Sequence, residues 1–237
     1  MDNRTLVSNE HRVIMKMDYI NGDCARVIGE KLNYPYWTVL KHLKSMNVDI
    51  RSDHAKQVDF SKKETLAYIE GVLCGDGWAY NNKKTSRYHI GIDAIDKDFV
   101  TKFKNSLEDV GLKIWFGQSK DNCWRALGNS KRLYIWHNEL PYKNFKSNEE
   151  KIAFLEGFYE SDGTSDIRNV VYCNTDKTLL DTTRRYLDDL NIETTLTGPY
   201  KNNYDSLYYF LRISSASLGR FMRLIKPVNK FNKGGMK

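Results

Sequence analysis

Two aspartates, each followed by a glycine, stand 86 residues apart in two segments that match each other. Residues 66–77 read LAYIEGVLCGDG and residues 152–163 read IAFLEGFYESDG, so that Asp76 corresponds to Asp162. Two carboxylates held close together repel each other, and a bound divalent cation removes that penalty. Hard oxygen ligands suit magnesium. The pair therefore predicts a metal site built from one acid of each copy; two aspartates that merely end buried helices are the alternative.

Each aspartate follows a segment that predicts a buried helix. Glu70 is the only charged residue within residues 66–74, and a helix that is apolar on nearly every side belongs in the interior. Glycine inside a helix costs about 1 kcal/mol relative to alanine, so glycines there require a packing reason. Small residues recur at a spacing of four in both copies: Gly71 with Gly75, and Gly157 with Ser161. We expect the two helices to touch along these stripes, chiefly at Gly71 and Gly157, and so to bring the two acids together.

The two helices carry the same start signal. Ser61 precedes Glu64 by three residues, and Ser147 precedes Glu150 by three, again at an offset of 86. Because Ser-x-x-Glu satisfies free amide groups at the start of a helix, both sites predict a capping box.

Both segments resemble the signature of the LAGLIDADG homing endonucleases, at residues 69–77 and 155–163. The eighth signature position binds metal in that family, and it is Asp76 in the first copy and Asp162 in the second. The resemblance implies a site-specific endonuclease active in intron homing, in the single-chain form with two motifs. Such an enzyme hydrolyses both strands of double-stranded DNA and uses Mg²⁺ or another divalent cation such as Mn²⁺.

The resemblance also implies roles for the neighbours of these acids. The backbone carbonyl just before each acid contacts metal in the family, which here implies Gly75 and Ser161. The sixth signature position is often acidic, but it is Cys74 in the first copy and Glu160 in the second. A basic residue near the metals supports the transition state, and the segments after the last helix of each half offer three candidates: Lys143, Lys226 and Lys230.

The repeat extends beyond the motifs and predicts the same elements in each half. The order is helix, two strands, helix, two strands, helix. The offset is 80 at Asp96 and Asp176 and returns to 86 at Pro141 and Pro227, which places a six-residue insertion within residues 81–86. The predicted fold class is α+β, with pseudo-two-fold duplicated α-β-β-α-β-β-α units, two antiparallel DNA-binding sheets and a small all-α N-terminal module.

Each predicted sheet packs one face against its helices and leaves the other face exposed. The resemblance implies that the exposed face binds DNA. Arginine, lysine, glutamine and asparagine suit the base edges of the major groove. The candidates on exposed strand positions are Arg87, His89, Gln118, Lys120 and Arg125 in the first half, and Arg168, Asn169, Lys201, Asn203 and Arg212 in the second. Arg125 and Arg212 are favoured because they recur at an offset of 87 in matching strands. A solvated surface charge is the alternative for each.

We assign the two repeated halves to residues 59–146 and 147–237. Residues 1–58 precede them and are not repeated. Three short helices are predicted there, and their spacing resembles a helix-turn-helix DNA-binding module. A small helical cap with Trp37 in its core is the alternative. In the DNA-binding interpretation the third helix, residues 36–46, directs five side chains outward: Trp37, Thr38, Lys41, His42 and Lys44.

Composition is consistent with a polyanionic partner but does not specify one. The formal net charge is +7, the pI is about 9.0, and 15 tyrosines contribute to an aromatic content of 13%. Four widely separated cysteines predict buried thiols in a reducing compartment, without a zinc site or a disulfide framework. No signal peptide or membrane span is visible, so we expect an intracellular protein of cytoplasm, nucleoid or organelle matrix that is not secreted. We expect a monomer.

Two other functions remain open from the sequence. One is a DNA-binding regulator that keeps the scaffold without cleaving, and the other is an intron maturase that binds RNA. Both acids persist in this chain, and a protein that only binds nucleic acid has no need of paired metal ligands. The sequence therefore favours cleavage of double-stranded DNA over the other two.

Overall fold

The computed structural model separates the chain into two compact units, Met1–Gln57 and Val58–Lys237. The structure describes residues 7–21, 23–48, 50, 58–85, 87–119, 122–139, 144–165, 169–201 and 205–228. Five of the predicted positions lie outside these ranges: Lys120, Lys143, Arg168, Asn203 and Lys230.

The first unit contains three helices: α1 (Asn9–Ile20), α2 (Ala25–Leu32) and α3 (Tyr36–Ser45). Ser8 caps α1, because its side chain accepts a hydrogen bond from the amide of His11 at 3.1 Å. Between α2 and α3 the chain turns through Asn33, which has a left-handed φ of 55°. The core of this unit is formed by Val7, Met15, Tyr19, Ala25, Ile28, Val39 and Leu43.

The second unit contains two halves with the same series of elements. The first half contains α4 (Lys63–Leu73), β1 (Gly77–Asn82), β2 (Arg87–Ala94), α5 (Lys97–Asp109), β3 (Trp115–Gln118), β4 (Trp124–Asn129) and α6 (Lys131–Glu139). The second half contains α7 (Asn148–Asp162), β5 (Gly163–Ser165), β6 (Val170–Asn174), α8 (Lys177–Asp189), β7 (Thr194–Lys201), β8 (Leu207–Ile213) and α9 (Leu218–Leu224). This architecture confirms the predicted α+β class and its duplicated unit.

The two sheets have the same topology, with strand orders β1-β2-β4-β3 and β5-β6-β8-β7 and antiparallel pairing throughout. Gly77 pairs with Ile92 in the first sheet, and Gly163 pairs with Tyr172 in the second. The first strands of the two sheets are therefore related to each other by an offset of 86 residues, and the second strands by an offset of 80. The change falls between β1 and β2, where the insertion was predicted.

The helix starts agree with only one of the two predicted caps. Ser147 caps α7 and accepts a hydrogen bond from the amide of Glu150 at 3.1 Å. Ser61 does not cap α4; its amide and hydroxyl both donate to the carboxylate of Asp59, at 3.0 and 2.6 Å. Since Asp59 takes the hydroxyl, α4 begins at Lys63 without a side-chain cap, and the predicted capping box is wrong there.

Each sheet buries one face under its own helices and leaves the other open. In the first half, Ile90, Ile92 and Ala126 of the sheet belong to the same core as Phe103 and Leu107 of α5. In the second half, the corresponding core joins the sheet to α8 and α9 through Tyr172, Leu180, Leu187, Leu211 and Phe221. The four cysteines form no disulfide, and they are partly buried rather than fully buried as expected. No helix in the described ranges is long and apolar enough to cross a membrane.

Candidate active site and nucleic-acid interface

Helices α4 and α7 touch at their glycines. A methyl group on Gly71 would lie 2.2 Å from the carbonyl oxygen of Phe154, and one on Gly157 would lie 2.3 Å from that of Tyr68. Real side chains do not approach so closely, so any residue larger than glycine would push the helices apart. Tyr68 and Phe154 are themselves related by the offset of 86. The contact is therefore a close backbone approach with pseudo-two-fold symmetry.

The same contact brings the two acid-bearing segments together. A methyl group on Gly75 would lie 2.3 Å from the hydroxyl oxygen of Ser161 and 3.3 Å from the carboxyl carbon of Asp162. The backbone just before Asp76 therefore lies against the end of α7. Helix α4 ends at Leu73, so Asp76 stands in the turn that follows and is exposed, whereas α7 continues to Asp162, which is partly buried.

Two residues of β6 shape the surroundings of Asp162. The side-chain amide of Asn174 donates a hydrogen bond to one carboxylate oxygen of Asp162. Burial and the negative charge of Asp162 both raise the pKa of the Cys173 thiol. Cys173 therefore stays protonated at neutral pH and does not compete as a thiolate ligand, while Asn174 fixes one oxygen of the acid.

The donor set fits a hard divalent cation that also binds substrate. Asp76, Asp162 and the backbone carbonyls of Gly75 and Ser161 offer only oxygen atoms. Within the described part of the chain, no group of three or more histidines, cysteines, aspartates or glutamates is arranged to hold a metal. Magnesium is commonly held by one or two carboxylates together with waters and substrate phosphates, so the arrangement suits a cation shared with a phosphodiester.

The sixth signature positions differ in structure as well as in sequence. Glu160 is 3% exposed and accepts a hydrogen bond from the amide of Val228 at 2.6 Å. This bond ties α7 to the segment after α9, in which the exposed Lys226 lies two residues earlier. Cys74 instead lies 3.9 Å from Glu70, sulfur to carboxylate oxygen.

The two motif glutamates also have different partners. Glu70 is 1% exposed, and its carboxylate lies 2.9 Å from Nδ1 of His137 on α6. Glu156 forms an ion pair with Lys102 of α5, so it joins the second half to the first. The Glu70 pair holds the first half together internally, whereas the Glu156 pair bridges the two halves.

Strand register determines which residues lie on the open face of the first sheet. Directly paired residues of antiparallel strands point to the same side, and successive residues alternate. Arg87, His89 and Arg125 all lie on the face opposite the core. Gln118 pairs with Trp124, which packs against the core. The structure therefore places Gln118 on the helix side of the sheet, at its exposed edge, and not on the open face.

The second sheet brings together two of the predicted residues. Arg212 lies on the open face, and its guanidinium donates to the side-chain oxygen of Asn169 at 2.8 Å. Lys201 pairs with Leu207 on the other side of the sheet and lies 3.4 Å from Asp205. Lys201 therefore stands apart from the open face that carries Arg212.

The pairing corrects the expected match between Arg125 and Arg212. Arg125 pairs with Asp93, and the offset of 80 relates Asp93 to Cys173 (93 + 80 = 173). Cys173 pairs with Phe210. The structural counterpart of Arg125 is therefore Phe210, at an offset of 85. The two arginines lie in matching strands, as predicted. They are two residues apart in register, so the offset of 87 does not relate equivalent positions.

Three residues of the site were not singled out by their sequence pattern. Trp78 and Asp93 lie on the open face beside Arg125, and Asn174 contacts Asp162. Alternation along β2 with Arg87 and His89 could have identified Asp93. Nothing in the spacing indicated Asn174, because its contact with Asp162 depends on how β6 passes the end of α7.

In the first unit a tight turn joins α2 to α3, and α3 presents a polar and aromatic surface. Trp37 is 64% exposed, so it is not the core residue that the cap alternative expected. Lys41 and Lys44 are exposed, and Thr38 and His42 are partly buried. Burial and the nearby charges of Arg12 and Lys41 lower the pKa of His42.

Comparisons with known proteins agree with this geometry. The family described as a LAGLIDADG-like domain matches residues 149–226, which contain the second motif. An uncharacterized protein of Methanocaldococcus jannaschii, MJ0314, is 35% identical over 191 residues, which cover 70% of this chain and 72% of that protein. Homing endonuclease I-DmoI of Desulfurococcus mucosus is 24% identical over 169 residues, which cover 67% of this chain and 86% of that protein.

Solved structures show the same fold. The crystal structure of I-DmoI in complex with DNA and Mn superposes with a TM-score of 0.57 at 22% identity, over 69% of this chain and 96% of that chain. Full-length DUF199/WhiA from Thermatoga maritima superposes with a TM-score of 0.52 at 15% identity, over 72% of this chain and 58% of that chain. With its two motifs, its duplicated fold and these relatives, the chain belongs to the LAGLIDADG family as a single-chain, two-motif member.

Proposed function

We propose that this protein is a site-specific endonuclease that hydrolyses both strands of double-stranded DNA with divalent cations held at Asp76 and Asp162. The close approach of α4 and α7, which sets Gly75 against the carboxyl group of Asp162, carries this proposal. Two carboxylates brought together there would repel each other, and a shared divalent cation would remove that cost. A relative that shares this fold is named a homing endonuclease and was crystallised with DNA and Mn.

The two sheets would hold the DNA beside these acids. β1 begins directly after Asp76 and β5 directly after Asp162, so each open face starts at one acid. Side chains of the open faces would enter the major groove and contact base edges. The two halves present different residues, which predicts a target without two-fold symmetry.

Chemistry would take place where the two helices end. A bound divalent cation would activate water and stabilise the leaving oxygen of the phosphodiester. Asp76 and Asp162 would hold it, and Asn174 would keep the carboxylate of Asp162 in one orientation. Lys226 is the described candidate for the basic residue, and the bond from Val228 to Glu160 fixes its segment against α7. Lys143 and Lys230 remain candidates from the sequence.

The first unit would supply a second DNA contact. The exposed Trp37, Lys41 and Lys44 of α3 suit a helix that lies in the major groove. Covalent connection to the cleavage domain raises the local concentration of the second contact and lengthens the recognised sequence. Since phosphate contacts release counterions, binding should weaken steeply as salt is raised.

The test is cleavage of DNA by the full chain. The protein is incubated with the DNA that flanks its reading frame and with a pool of randomised duplexes, with Mg²⁺ or with a chelator. We expect breaks in both strands at one defined sequence, only when Mg²⁺ is present. The matched control is the double variant Asp76→Asn, Asp162→Asn, which should bind the same duplex without cutting it.

Two outcomes would favour the other functions. Wild-type protein that shifts a specific duplex on a gel but cuts nothing with Mg²⁺ or Mn²⁺ would indicate a DNA-binding regulator. Binding of structured intron RNA in clear preference to every duplex would indicate a maturase. The aromatic and basic surface of α3 is compatible with the regulator, but it gives no account of the paired acids.

A further inference from the structure

A polar cluster on the open face of the first sheet holds Arg125 in a fixed orientation. Nε of Arg125 donates to one oxygen of Asp93 at 2.5 Å, and Nε1 of Trp78 donates to the other oxygen at 3.1 Å. Asp93 and Arg125 are also directly opposite each other in the strand pairing. The carboxylate is therefore held from two sides, and it fixes the plane of the guanidinium.

Packing of Trp78 completes this cluster. Trp78 pairs with Gly91, and a methyl group on Gly91 would lie 2.6 Å from the indole ring. The ring therefore lies directly over Gly91, where only glycine leaves it room. Asp93, which is itself held by Trp78, restrains Arg125, although the arginine side chain is 43% exposed.

The cluster lies at the strand end nearest the acids. Gly77 follows Asp76 directly and pairs with Ile92, the neighbour of Asp93. Trp78 is two residues from Asp76. A base contacted by Arg125 would therefore lie close to a scissile phosphate rather than at the far end of the target.

The chemistry of the cluster favours a base over a phosphate. A carboxylate beside an arginine cancels much of its charge, and it would be repelled by a phosphate that the arginine approached. The edge of guanine is neutral and presents two acceptors, O6 and N7, that match the planar fork of arginine. An arginine whose plane is already fixed loses little freedom when it forms both bonds.

The second half has no such cluster at the matching place. The counterparts of Asp93 and Arg125 are Cys173 and Phe210, a thiol and an aromatic ring. Arg212 is the described arginine on that open face, and it contacts the neutral amide of Asn169 at a register position two residues away. The cluster therefore distinguishes one half-site from the other.

We propose that Arg125, positioned by Asp93 and Trp78, is a specificity-determining residue that reads guanine next to the cleavage position in one half-site. This inference rests on the proposed function, because it requires that the open face contacts duplex DNA. It adds a property that the family relationship does not supply: the target has a G·C pair near the cut on the side of the first sheet, and Phe210 imposes no such requirement on the other side.

The experiment selects duplexes from a randomised pool with the full chain, in a chelator so that binding is measured without cleavage. Wild type should enrich a sequence with one fixed G·C pair beside the later cleavage position. Arg125→Lys keeps the charge but cannot form the two parallel bonds, and Arg125→Ala removes both. Each should reduce the preference for guanine at that pair from about tenfold or more to nearly none, while the other enriched positions stay unchanged.

The variant Asp93→Asn separates the effect of the orientation of Arg125 from the effect of its charge. This variant frees one positive charge near the DNA, so binding to all duplexes should hold or strengthen and its salt dependence should steepen by about one unit. The preference for guanine should nevertheless fall severalfold, because the guanidinium is no longer fixed. The matched control is Arg212→Ala, which should leave this G·C pair fully selected.

Results that overturn the inference are distinct from those that overturn the function. An unchanged preference in both Arg125 variants, or a uniform loss of affinity with an unchanged consensus, would show that Arg125 does not read a base. Failure of wild type to enrich any duplex would overturn the proposed function, and this inference with it. Melting curves of each variant confirm that it is folded.

Discussion

The two halves of this protein are alike where their helices touch and different almost everywhere else around the site. Gly71 and Gly157 each face a backbone carbonyl at a distance that excludes any side chain. Beyond this contact, α4 ends three residues before its acid, whereas α7 runs through to Asp162. Backbone contact therefore constrains both copies equally, whereas the residues farther from it have diverged.

The divergence extends to the groups around the two acids and on the two open faces. Asp162 accepts a hydrogen bond from Asn174, while the position related by the offset of 80 in the first half is Ala94 (174 − 80 = 94). Arg125 corresponds to Phe210. The duplicated scaffold therefore presents different side chains around its two acids and on its two open faces.

The largest effect should come from breaking the feature that the halves share. Gly71→Ala and Gly157→Ala each place a methyl group against a rigid backbone of the facing helix, so each should lower the free energy of unfolding by about 3 kcal/mol. Chemical denaturation measures this change. Gly219→Ala in α9 is the matched control, since its methyl group meets nothing closer than 3.7 Å, and it should be neutral or stabilising by up to about 1 kcal/mol. Wild-type stability in the Gly71 variant would contradict the helix contact.

The motif glutamates offer a test of the difference between the halves. His137→Ala removes a partner of the buried carboxylate of Glu70, which should cost about 3 kcal/mol of unfolding free energy. Lys102→Met removes the partner of the more accessible Glu156 and should cost about 1 kcal/mol or less. Denaturant titrations of both variants compare the two pairs directly. Equal losses would show that the two glutamates are in equivalent environments after all.

The hydrogen bond from Asn174 to Asp162 has no counterpart at Ala94, the position related by the offset of 80. Asn174→Ala frees one carboxylate oxygen of Asp162, and because the two acids share cations in the proposed site, we expect both strands to be cut about tenfold more slowly. Single-turnover cleavage with each strand labelled in turn measures both rates. Wild-type rates on both strands would show that Asn174 does not act through Asp162.

The smallest effect on stability should be at Trp37 in the first unit. Because the ring is 64% exposed, Trp37→Ala should change the unfolding free energy by less than about 0.5 kcal/mol. If α3 contacts DNA, the same variant should bind the target duplex about tenfold more weakly. A large loss of stability with unchanged DNA affinity would instead return the first unit to the role of a structural cap.

The sequence predicted best the features that depend on the spacing of residues along one helix. The offset of 86, the glycines at a spacing of four and the Asp-Gly ends were sufficient to predict two helices that touch at Gly71 and Gly157. They also predicted that the segments ending in Asp76 and Asp162 lie against each other. Duplication also predicted the order of elements and the place of the insertion, because both copies had to satisfy the same core.

The sequence predicted least well the features that depend on competition between neighbouring side chains for one hydrogen bond. It was equally weak where strand register decides which face of the sheet a residue occupies. Ser61 was expected to cap α4, but Asp59 lies two residues away and takes its hydroxyl. Arg125 and Arg212 were matched by an offset of 87, yet β4 and β8 are related by 85, and a shift of two residues keeps the face while changing the partner. Gln118 was predicted to lie on the open face. Successive residues of a strand alternate between its two faces, and the register of β3 places Gln118 on the helix side.

The most direct test of the account is single-turnover cleavage of the selected duplex by Asp76→Asn and by Asp162→Asn, with each DNA strand labelled. If the two acids share cations at one site, each single substitution should slow cleavage of both strands by about a hundredfold or more, while DNA binding is retained. A variant of either aspartate that cuts both strands at the wild-type rate would contradict the joint site.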